Sequence, residues 1–94
     1  METWNEIAYE DRHSLPVTYG CYAFIVDDEI IYIGRTRMLQ MRLICHRQMA
    51  KLLRGMKDVR IKYSTSEEDY NKERELIELY TPKYNIEFVC KYKK

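Results

Sequence analysis

Two apolar segments separated by a short polar one place the strongest constraint on the fold of this chain. The first, TYGCYAFIV, covers residues 18–26 and is rich in β-branched and aromatic residues, and the second, IIYIG, covers residues 30–34. Such compositions favour β-strands. Because only Asp27, Asp28 and Glu29 separate the segments, they predict a β-hairpin whose turn consists of these three acidic residues.

The remaining sequence predicts helices and strands in alternation. Residues 38–54 are dominated by helix-forming residues, and Gly55 stands where a helix commonly ends. The segment VRIKY, residues 59–63, alternates apolar and charged residues, which predicts a third strand. A second helix is expected from about Ser66, where the spacing of serines and acidic residues resembles a helix cap, to a residue before Pro82. With a last extended segment over residues 83–89, this order of elements predicts an α+β fold.

Length and composition indicate one small globular domain. The chain has 94 residues, 46% of them hydrophobic, but no apolar stretch near the roughly 20 residues of a membrane span. Its first residues, METWNEIAYEDRHSLP, are too acidic and polar for a signal peptide, so we expect a cytoplasmic protein with no membrane partner. Because Cys21, Cys45 and Cys90 lack C-x-x-C spacing, we expect no disulfide framework or structural zinc, but reduced, partly buried thiols.

Charge is distributed unevenly along the chain, although the net charge is only +1. Residues 1–34 contain seven acidic residues and one basic residue, and residues 67–78 contain six acidic and two basic ones. The stretch 35–54 has no acidic residue and six basic ones, namely Arg35, Arg37, Arg42, Arg47, Lys51 and Arg54. This basic run is either a solvated helix face with an accidental bias in sign or a cationic surface for an anionic partner.

Three polar residues interrupt the apolar faces of the two predicted helices. On an ideal helix over residues 38–54, Arg42 and His46 lie one turn apart on the apolar side, whereas Arg47 and Lys51 lie opposite. Burying an unpaired guanidinium is costly, so Arg42 is expected to face an anion or a cleft. Glu73 lies in the middle of the apolar face of the second helix. It either forms a structural ion pair, for instance with Arg42, or ligates Mg²⁺, which accepts one or two protein carboxylates together with water and phosphate oxygens.

Taken in order, these residues resemble the motif of the GIY-YIG nucleases. The matching elements are, in chain order, Gly20-Cys21-Tyr22, Tyr32-Ile33-Gly34, Arg42, His46, Glu73 and, at the end of the segment PKYN, Asn85. Nine residues separate the two triplets, Arg42 follows Gly34 by eight positions, and His46 follows Arg42 by four. Cys21 replaces the usual aliphatic residue of the first triplet, a change that a strand is expected to tolerate because cysteine is small and apolar.

The resemblance has consequences for both fold and activity. It implies one GIY-YIG-like domain over residues 1–94, with the motif in residues 20–85 and an N-terminal extension over residues 1–19. The implied fold is a three-stranded antiparallel sheet flanked by helices. The implied activity is cleavage of DNA to 5′-phosphate and 3′-hydroxyl ends with one divalent metal ion, Mg²⁺ or Mn²⁺, per active site.

The resemblance also implies a role for each catalytic residue. Glu73 would ligate the metal, and Arg42 would stabilise charge on the phosphate. Tyr22 would act as the general base or help to position it, and Tyr32 would orient the phosphate or the attacking water. His46 would carry a proton or hold the site. With a reference pKa of about 6.5, His46 competes with Tyr22 for the role of base.

Substrate contacts are expected from two sources. The resemblance implies Gly34, which permits a close backbone turn beneath the substrate, and Asn85, which supports the site from the last segment. The remaining expected contacts belong to the basic run and are Arg35, Arg37, Arg47 and Lys51. They would grip the DNA backbone more than the bases, so binding should weaken strongly as salt rises.

Two other functions are compatible with these residues. A module that binds nucleic acid without cutting it would keep the basic run, but it would not need Glu73 in an apolar helix face. A nuclease for RNA, or for branched or damaged DNA, would carry the same site. Because little of the chain lies outside the motif, we expect sequence recognition to be weak, or to need a homodimer or a separate DNA-recognition partner.

Overall fold

The structure is a computed structural model that describes residues 2–85 of the chain. Its strands are β1 (Asn5–Ala8), β2 (Gly20–Val26), β3 (Glu29–Thr36) and β4 (Arg60–Ser64). Its α-helices are α1 (Leu39–Ile44), α2 (Arg47–Leu53), α3 (Glu67–Asn71) and α4 (Glu73–Tyr80), and a 3₁₀ helix covers Tyr9–Ser14. The predicted α+β class is confirmed.

Within residues 2–85, the sheet has four antiparallel strands in the order β1-β4-β2-β3, so the prediction of three strands is wrong. The additional strand, β1, lies within the stretch that the sequence assigned to an N-terminal extension. It pairs with β4, for example through Ile7 opposite Ile61. The sequence of β1, NEIA, is too short and too polar to stand out as a strand. It is extended because β4 offers it an edge with unpaired backbone groups.

The hairpin of β2 and β3 is present, but its turn has two residues and not three. Glu29 already belongs to β3, where it pairs with Val26. Asp27 and Asp28 form the turn with positive φ angles of 52° and 62°, the conformation of a two-residue turn that matches the twist of the strands. This register places Tyr22 opposite Gly34 at the open end of the hairpin, away from the turn.

The predicted helix over residues 38–54 is interrupted, so the prediction of one continuous helix is wrong. His46 lies immediately before α2 with φ −77° and ψ 82°, which is not a helical conformation. Its imidazole Nδ1 accepts a hydrogen bond from the backbone N–H of Met49 at 3.4 Å, so the side chain caps the second helix. Beyond the end of α2, Gly55 has a φ of 87°, as expected for a glycine that terminates a helix.

The second predicted helix begins and ends as expected but is also divided. The Ser66 hydroxyl accepts a hydrogen bond from the backbone N–H of Asp69, which confirms the predicted cap. Lys72 separates α3 from α4, and α4 ends at Tyr80, two residues before Pro82. Residues 83–85 are helical, so the predicted extended segment is wrong there, and its remainder, residues 86–89, lies outside the described residues.

Helices cover both faces of the sheet. On one face, Tyr22 and Phe24 of β2 pack with Leu39 of α1 and with residues of α2 and the 3₁₀ helix. On the other, Cys21 and Ile33 pack with residues of α3 and α4. The end of the hairpin that carries Tyr22 and Gly34 is therefore accessible to side chains from both helical layers.

The two cysteines within the described residues have different environments. Cys21 is buried and its thiol donates to the backbone carbonyl of Asp69 at 3.0 Å. Burial, assisted by the nearby carboxylates of Glu73 and Asp69, raises the pKa of Cys21 to about 12. Cys45 is exposed, so the prediction of partly buried thiols is wrong for both residues. Cys90 lies outside the described residues.

Among residues 2–85, no helix is long and apolar enough to pass through a lipid bilayer.

Candidate active site

The site is organised around the contact between Tyr22 and Gly34. Tyr22 is 1% exposed, and its ring and hydroxyl lie directly against the backbone of Gly34. A Cβ atom at position 34 would stand 2.5 Å from the Tyr22 hydroxyl oxygen and 2.6 Å from its Cζ. The last residue of the second triplet is therefore glycine because Tyr22 occupies the space of a side chain.

Replacing Gly34 by alanine is expected to lower the free energy of unfolding by about 1–3 kcal/mol, because the new methyl group overlaps the Tyr22 side chain. Urea denaturation measures this cost. Tyr22→Phe removes the oxygen at the closest contact. In a protein that already carries this change, Gly34→Ala should lower the free energy of unfolding by at least about 0.5 kcal/mol less than it does in wild type. An equal cost in both backgrounds would show that the Tyr22 hydroxyl does not exclude a side chain at position 34.

Three predicted site residues bring their rings together at the hairpin, where Phe24 packs against each of them. The ring centroids of Tyr22 and Tyr32 are 6.2 Å apart, and the imidazole of His46 packs edge-on at 6.0 Å from Tyr22 and 5.5 Å from Tyr32. The structure thus brings together two predicted tyrosines from the strands and a predicted histidine from the junction of α1 and α2. We call this group the ring cluster. His46 reaches it because the helix breaks at this residue.

His46 is buried as a neutral imidazole. Burial, followed by the positive charge of Arg42, lowers the pKa of His46 to about 4. Since Nδ1 accepts from Met49, the neutral ring carries its proton on Nε2. This Nε2 atom is buried and has no hydrogen-bond partner within residues 2–85. In this tautomer Nε2 of His46 can donate a hydrogen bond but cannot accept a proton.

His46 is expected to make the fold sensitive to acid. Between pH 6.5 and about 4 the unfolded chain binds a proton at His46 that the folded chain excludes, so the free energy of unfolding should fall as the pH falls. The full effect is about 3 kcal/mol below pH 4. In denaturation experiments across this pH range, His46→Asn should lose less free energy of unfolding than wild type, because asparagine keeps a capping oxygen but does not titrate. His13→Gln, at an exposed histidine, is the control and should retain the wild-type profile. Identical profiles for His46→Asn and wild type would contradict the assignment.

Arg42 extends from α1 to the same cluster. It is an exposed residue whose guanidinium hydrogen-bonds to the Tyr22 hydroxyl. Partial burial disfavours its charge, but the hydrogen bond to Tyr22 and the proximity of Tyr22 and Tyr32 outweigh this and raise the pKa of Arg42. The cation therefore stands at the mouth of the site, with one side against Tyr22 and the other toward solvent.

Tyr22 is a neutral phenol in this environment. Burial is the main cause that raises the pKa of Tyr22 above its ordinary value, Tyr32 adds to it, and the hydrogen bond and charge of Arg42 oppose the rise without reversing it. The negative charge of Glu73 contributes a further increase. Because a guanidinium can only donate, the Tyr22 oxygen accepts from Arg42 and its O–H acts as a donor.

Glu73 comes from the opposite helical layer, at the first residue of α4. Its carboxylate lies 4.0 Å from the guanidinium Nε of Arg35, and its side chain is 21% exposed. Burial raises the pKa of Glu73, while Arg35 and Arg74 oppose the rise. The cation beside Glu73 is thus Arg35 of β3. The sequence suggested Arg42 as an example of such a partner.

Asn85 is used for a backbone contact. Its Oδ1 accepts from the backbone N–H of Ile33 and its Nδ2 donates to the Ile33 carbonyl, both at 2.7 Å. Ile33 lies between Tyr32 and Gly34 on β3, an edge strand of the sheet, so Asn85 takes the place of a neighbouring strand and fixes the second triplet. A direct contact of Asn85 with substrate stays a prediction.

The remaining predicted contacts lie outside the ring cluster. Arg37, just after β3, and Arg47 and Lys51 on α2 are all exposed. Arg35 is exposed as well, and its guanidinium donates to the backbone carbonyl of Tyr70 at 3.4 Å. The sequence did not single out Tyr70, and no pattern in the sequence could have found it, because only the fold brings it to Arg35.

Comparison with known proteins identifies the architecture. No family model matches the sequence, and no curated protein matches it. The magnesium-bound GIY-YIG N-terminal endonuclease domain of UvrC from Thermotoga maritima matches with a TM-score of 0.63 at 25% identity, covering 80% of this chain and 91% of that chain. This chain is a GIY-YIG-like domain. Two cation-bound point mutants of the same UvrC domain give the same TM-score and identity over 90% of their length.

The GIY-YIG-like domain confirms the resemblance that the motif indicated. Its first triplet opens β2, its second lies in β3, and the cross-strand register joins them through Tyr22 and Gly34. Arg42 of α1 and His46, between α1 and α2, contact Tyr22, and Glu73 of α4 is close enough to influence Tyr22 electrostatically.

Proposed function

We propose that this protein is a metal-dependent DNA endonuclease that hydrolyses phosphodiester bonds to 5′-phosphate and 3′-hydroxyl ends by a one-metal mechanism. The observation that carries the proposal is the convergence of Tyr22, Tyr32, Arg42 and His46 at one end of the hairpin, with Glu73 close enough to influence Tyr22. A similar solved domain is an endonuclease domain bound to magnesium.

The residues present fit a magnesium ion that is completed by its substrate. Within residues 2–85, no group of three or more histidine, cysteine, aspartate or glutamate side chains could enclose a metal. Mg²⁺ does not require such a group, because it keeps several waters and commonly binds one or two carboxylates together with phosphate oxygens. Glu73 is the residue that would hold it. When bound, the ion would supply positive charge at the phosphate and increase the acidity of a water molecule.

Arg42 supports the reaction by stabilising negative charge. Its guanidinium is held against Tyr22 and faces solvent, so a phosphate entering the site meets a cation that is already oriented. Preorganised charge of this kind contributes most when it is placed where charge develops in the transition state. Arg42 is therefore assigned to the phosphate oxygens of the bond that is cleaved.

The surroundings of Tyr22 and His46 determine which of their atoms carry protons. Tyr22 is protonated and can donate through its O–H, and neutral His46 has an Nε2–H, unpaired among the described residues, that can donate. We assign both groups to orienting a phosphate or a water molecule by donating hydrogen bonds. For Tyr22 to act as the base, its pKa must fall when substrate and metal enter, and for His46 to do so, its proton must move to Nδ1.

The basic run is assigned to the DNA backbone. Arg37, Arg47 and Lys51 are exposed, and none of them forms a salt bridge with another described residue. Contacts to phosphates release counterions, so affinity should fall steeply with salt. We further propose that the protein acts in the cytoplasm. It would cut DNA alone, as a homodimer or together with a separate DNA-recognition partner.

One observation favours a second candidate, a module that binds DNA without cutting it. In the protein alone, neither candidate base is poised to accept a proton, because burial raises the pKa of Tyr22 and lowers that of His46. A binding module would need no base. It would, however, leave the partly buried carboxylate of Glu73 without a purpose beyond its long contact to Arg35.

End-group analysis tests the proposed reaction. Duplex DNA incubated with the protein and Mg²⁺ should yield fragments that polynucleotide kinase labels only after phosphatase treatment and that DNA ligase can rejoin. Both results together identify 5′-phosphate and 3′-hydroxyl ends. Fragments that the kinase labels directly would contradict the proposed polarity, and intact DNA under conditions of full binding would favour the binding module.

A further inference from the structure

A groove on the surface of the protein has features suited to a nucleobase. It has a volume of about 490 Å³, is open to solvent, and is lined by Tyr19, Arg37, Glu67, Tyr70 and Asn71. We call it the tyrosine groove. None of its residues belongs to the ring cluster, and it lies where the loop before β2 meets α3.

The two tyrosines form a fixed aromatic surface. Their ring centroids are 5.2 Å apart and their planes are nearly perpendicular, at 86°. Tyr70 is half-buried against the core, whereas Tyr19 is 36% exposed. The packing against Tyr70 orients the Tyr19 ring while leaving part of it uncovered. An oriented and accessible ring suits base stacking, because every nucleobase has a π-face and little side-chain freedom is lost on binding.

The polar lining offers hydrogen-bonding groups for the edge of a base. The carboxylate of Glu67 would repel a phosphate but can accept a hydrogen bond from an exocyclic amino group. The amide of Asn71 can both donate to and accept from a base edge. Arg37 is exposed and forms no salt bridge among the described residues, so its guanidinium is available to stack on a base or to contact the adjoining phosphate.

Arg35 connects the tyrosine groove to the proposed cleavage site. Its guanidinium carbon lies 5.1 Å from the centre of the Tyr70 ring, and one of its nitrogens donates to the Tyr70 carbonyl. Its Nε lies 4.0 Å from the carboxylate of Glu73. Tyr19, the other aromatic residue of the groove, directly precedes Gly20, the first residue of β2. A single side chain thus separates the groove from the proposed metal ligand, so a nucleotide in the groove would adjoin the scissile phosphate.

We propose that the tyrosine groove holds an unpaired nucleobase of DNA next to the cleavage site, and that the protein therefore prefers DNA with an unpaired nucleotide beside the cut. This inference rests on the proposed function for the position of the cut. In a fully paired duplex the bases are stacked on each other, so their faces are not available to Tyr19. A gap, a bulge or a frayed end supplies a free base.

Binding measured without metal tests the groove separately from catalysis. Fluorescence anisotropy in EDTA compares a labelled duplex that contains a short single-stranded gap with the same duplex fully paired. Wild type is expected to bind the gapped DNA about tenfold more tightly. Tyr19→Leu should remove this preference and leave affinity for paired DNA unchanged, whereas Tyr19→Phe, which keeps the ring, should retain it.

Two further variants keep the test independent of folding. Tyr80→Leu is the matched control, since Tyr80 is 40% exposed on α4 but does not line the groove, and it should retain the preference. Asn71→Ala changes an exposed groove residue that no core contact requires, and it should weaken binding to gapped DNA alone. Equal binding of both DNAs by wild type, or equal losses in Tyr19→Leu and Tyr80→Leu, would overturn the inference. If wild type prefers the gapped DNA but does not cleave DNA with Mg²⁺, the proposed function is overturned. The inference that the tyrosine groove binds an unpaired base is then still supported.

Discussion

Glu73→Gln is expected to lower Mg²⁺-dependent DNA cleavage by about a thousandfold or more, equivalent to roughly 4 kcal/mol of activation free energy. Glutamine keeps the size and one oxygen of the side chain but removes the charge that would hold a divalent cation. The substitution should not destabilise the fold, because burial raises the pKa of Glu73 and so already disfavours its charged form. Cleavage rates at saturating Mg²⁺, together with thermal unfolding, measure both effects.

The matched control for this variant lies on the same helix. Glu75 is an exposed acidic residue of α4, two positions after Glu73, and Glu75→Gln changes the net charge by the same amount. It should cut at nearly the wild-type rate. Similar rates for Glu73→Gln and wild type, or similar losses for the two variants, would contradict the assignment of Glu73 as the metal ligand.

Arg42→Lys should produce the second largest effect, a loss of about a hundredfold in the cleavage rate with little change in DNA affinity. Lysine keeps the positive charge but lacks the planar group of donors that can contact Tyr22 and a phosphate at once. If Arg42 only attracts DNA, lysine can replace it, because the positive charge is kept. If Arg42 stabilises the transition state through several directed hydrogen bonds, lysine cannot replace it. Single-turnover cleavage and metal-free binding separate these two roles.

Arg54→Lys provides the comparison for Arg42. Arg54 is another exposed arginine of the basic run, located directly after α2, and it is not assigned to the site. Its conservative replacement should leave the single-turnover rate within about threefold of wild type. If Arg42→Lys were equally mild, Arg42 would belong to the DNA-binding surface and not to the reaction.

The sequence predicted those parts of the fold that depend on local patterns. Alternation and β-branched residues identified β2, β3 and β4, and Ser66 marked the start of α3 through its capping hydroxyl. Three features were missed, of which the first depends on a tertiary contact and the other two on local geometry. The strand β1 exists because β4 presents an edge, the helix breaks at His46 because the imidazole caps α2 from inside the site, and Glu29 joins β3 because the turn closes over two residues.

The candidate site was predictable where a polar residue interrupts an apolar pattern. Arg42, His46 and Glu73 are identified by the sequence in this way, and the motif adds Tyr22, Tyr32 and Gly34. The environment of each residue was not predictable from spacing. At Tyr22, for example, burial dominates over the nearby Arg42 and keeps the phenol neutral. The pairing of Asn85 with Ile33 likewise requires two segments that are 52 residues apart in the chain.

The central claim is that this chain cleaves DNA with a divalent ion held by Glu73. The most direct measurement is the conversion of supercoiled plasmid to open circles by the purified protein in Mg²⁺, beside the same reaction in EDTA and with Glu73→Gln, after equal DNA binding has been established. We expect open circles with wild type in Mg²⁺ and intact supercoils in the other two reactions. Open circles that form equally in EDTA or with Glu73→Gln would contradict the claim, and intact plasmid in every reaction would identify the protein as a binding module.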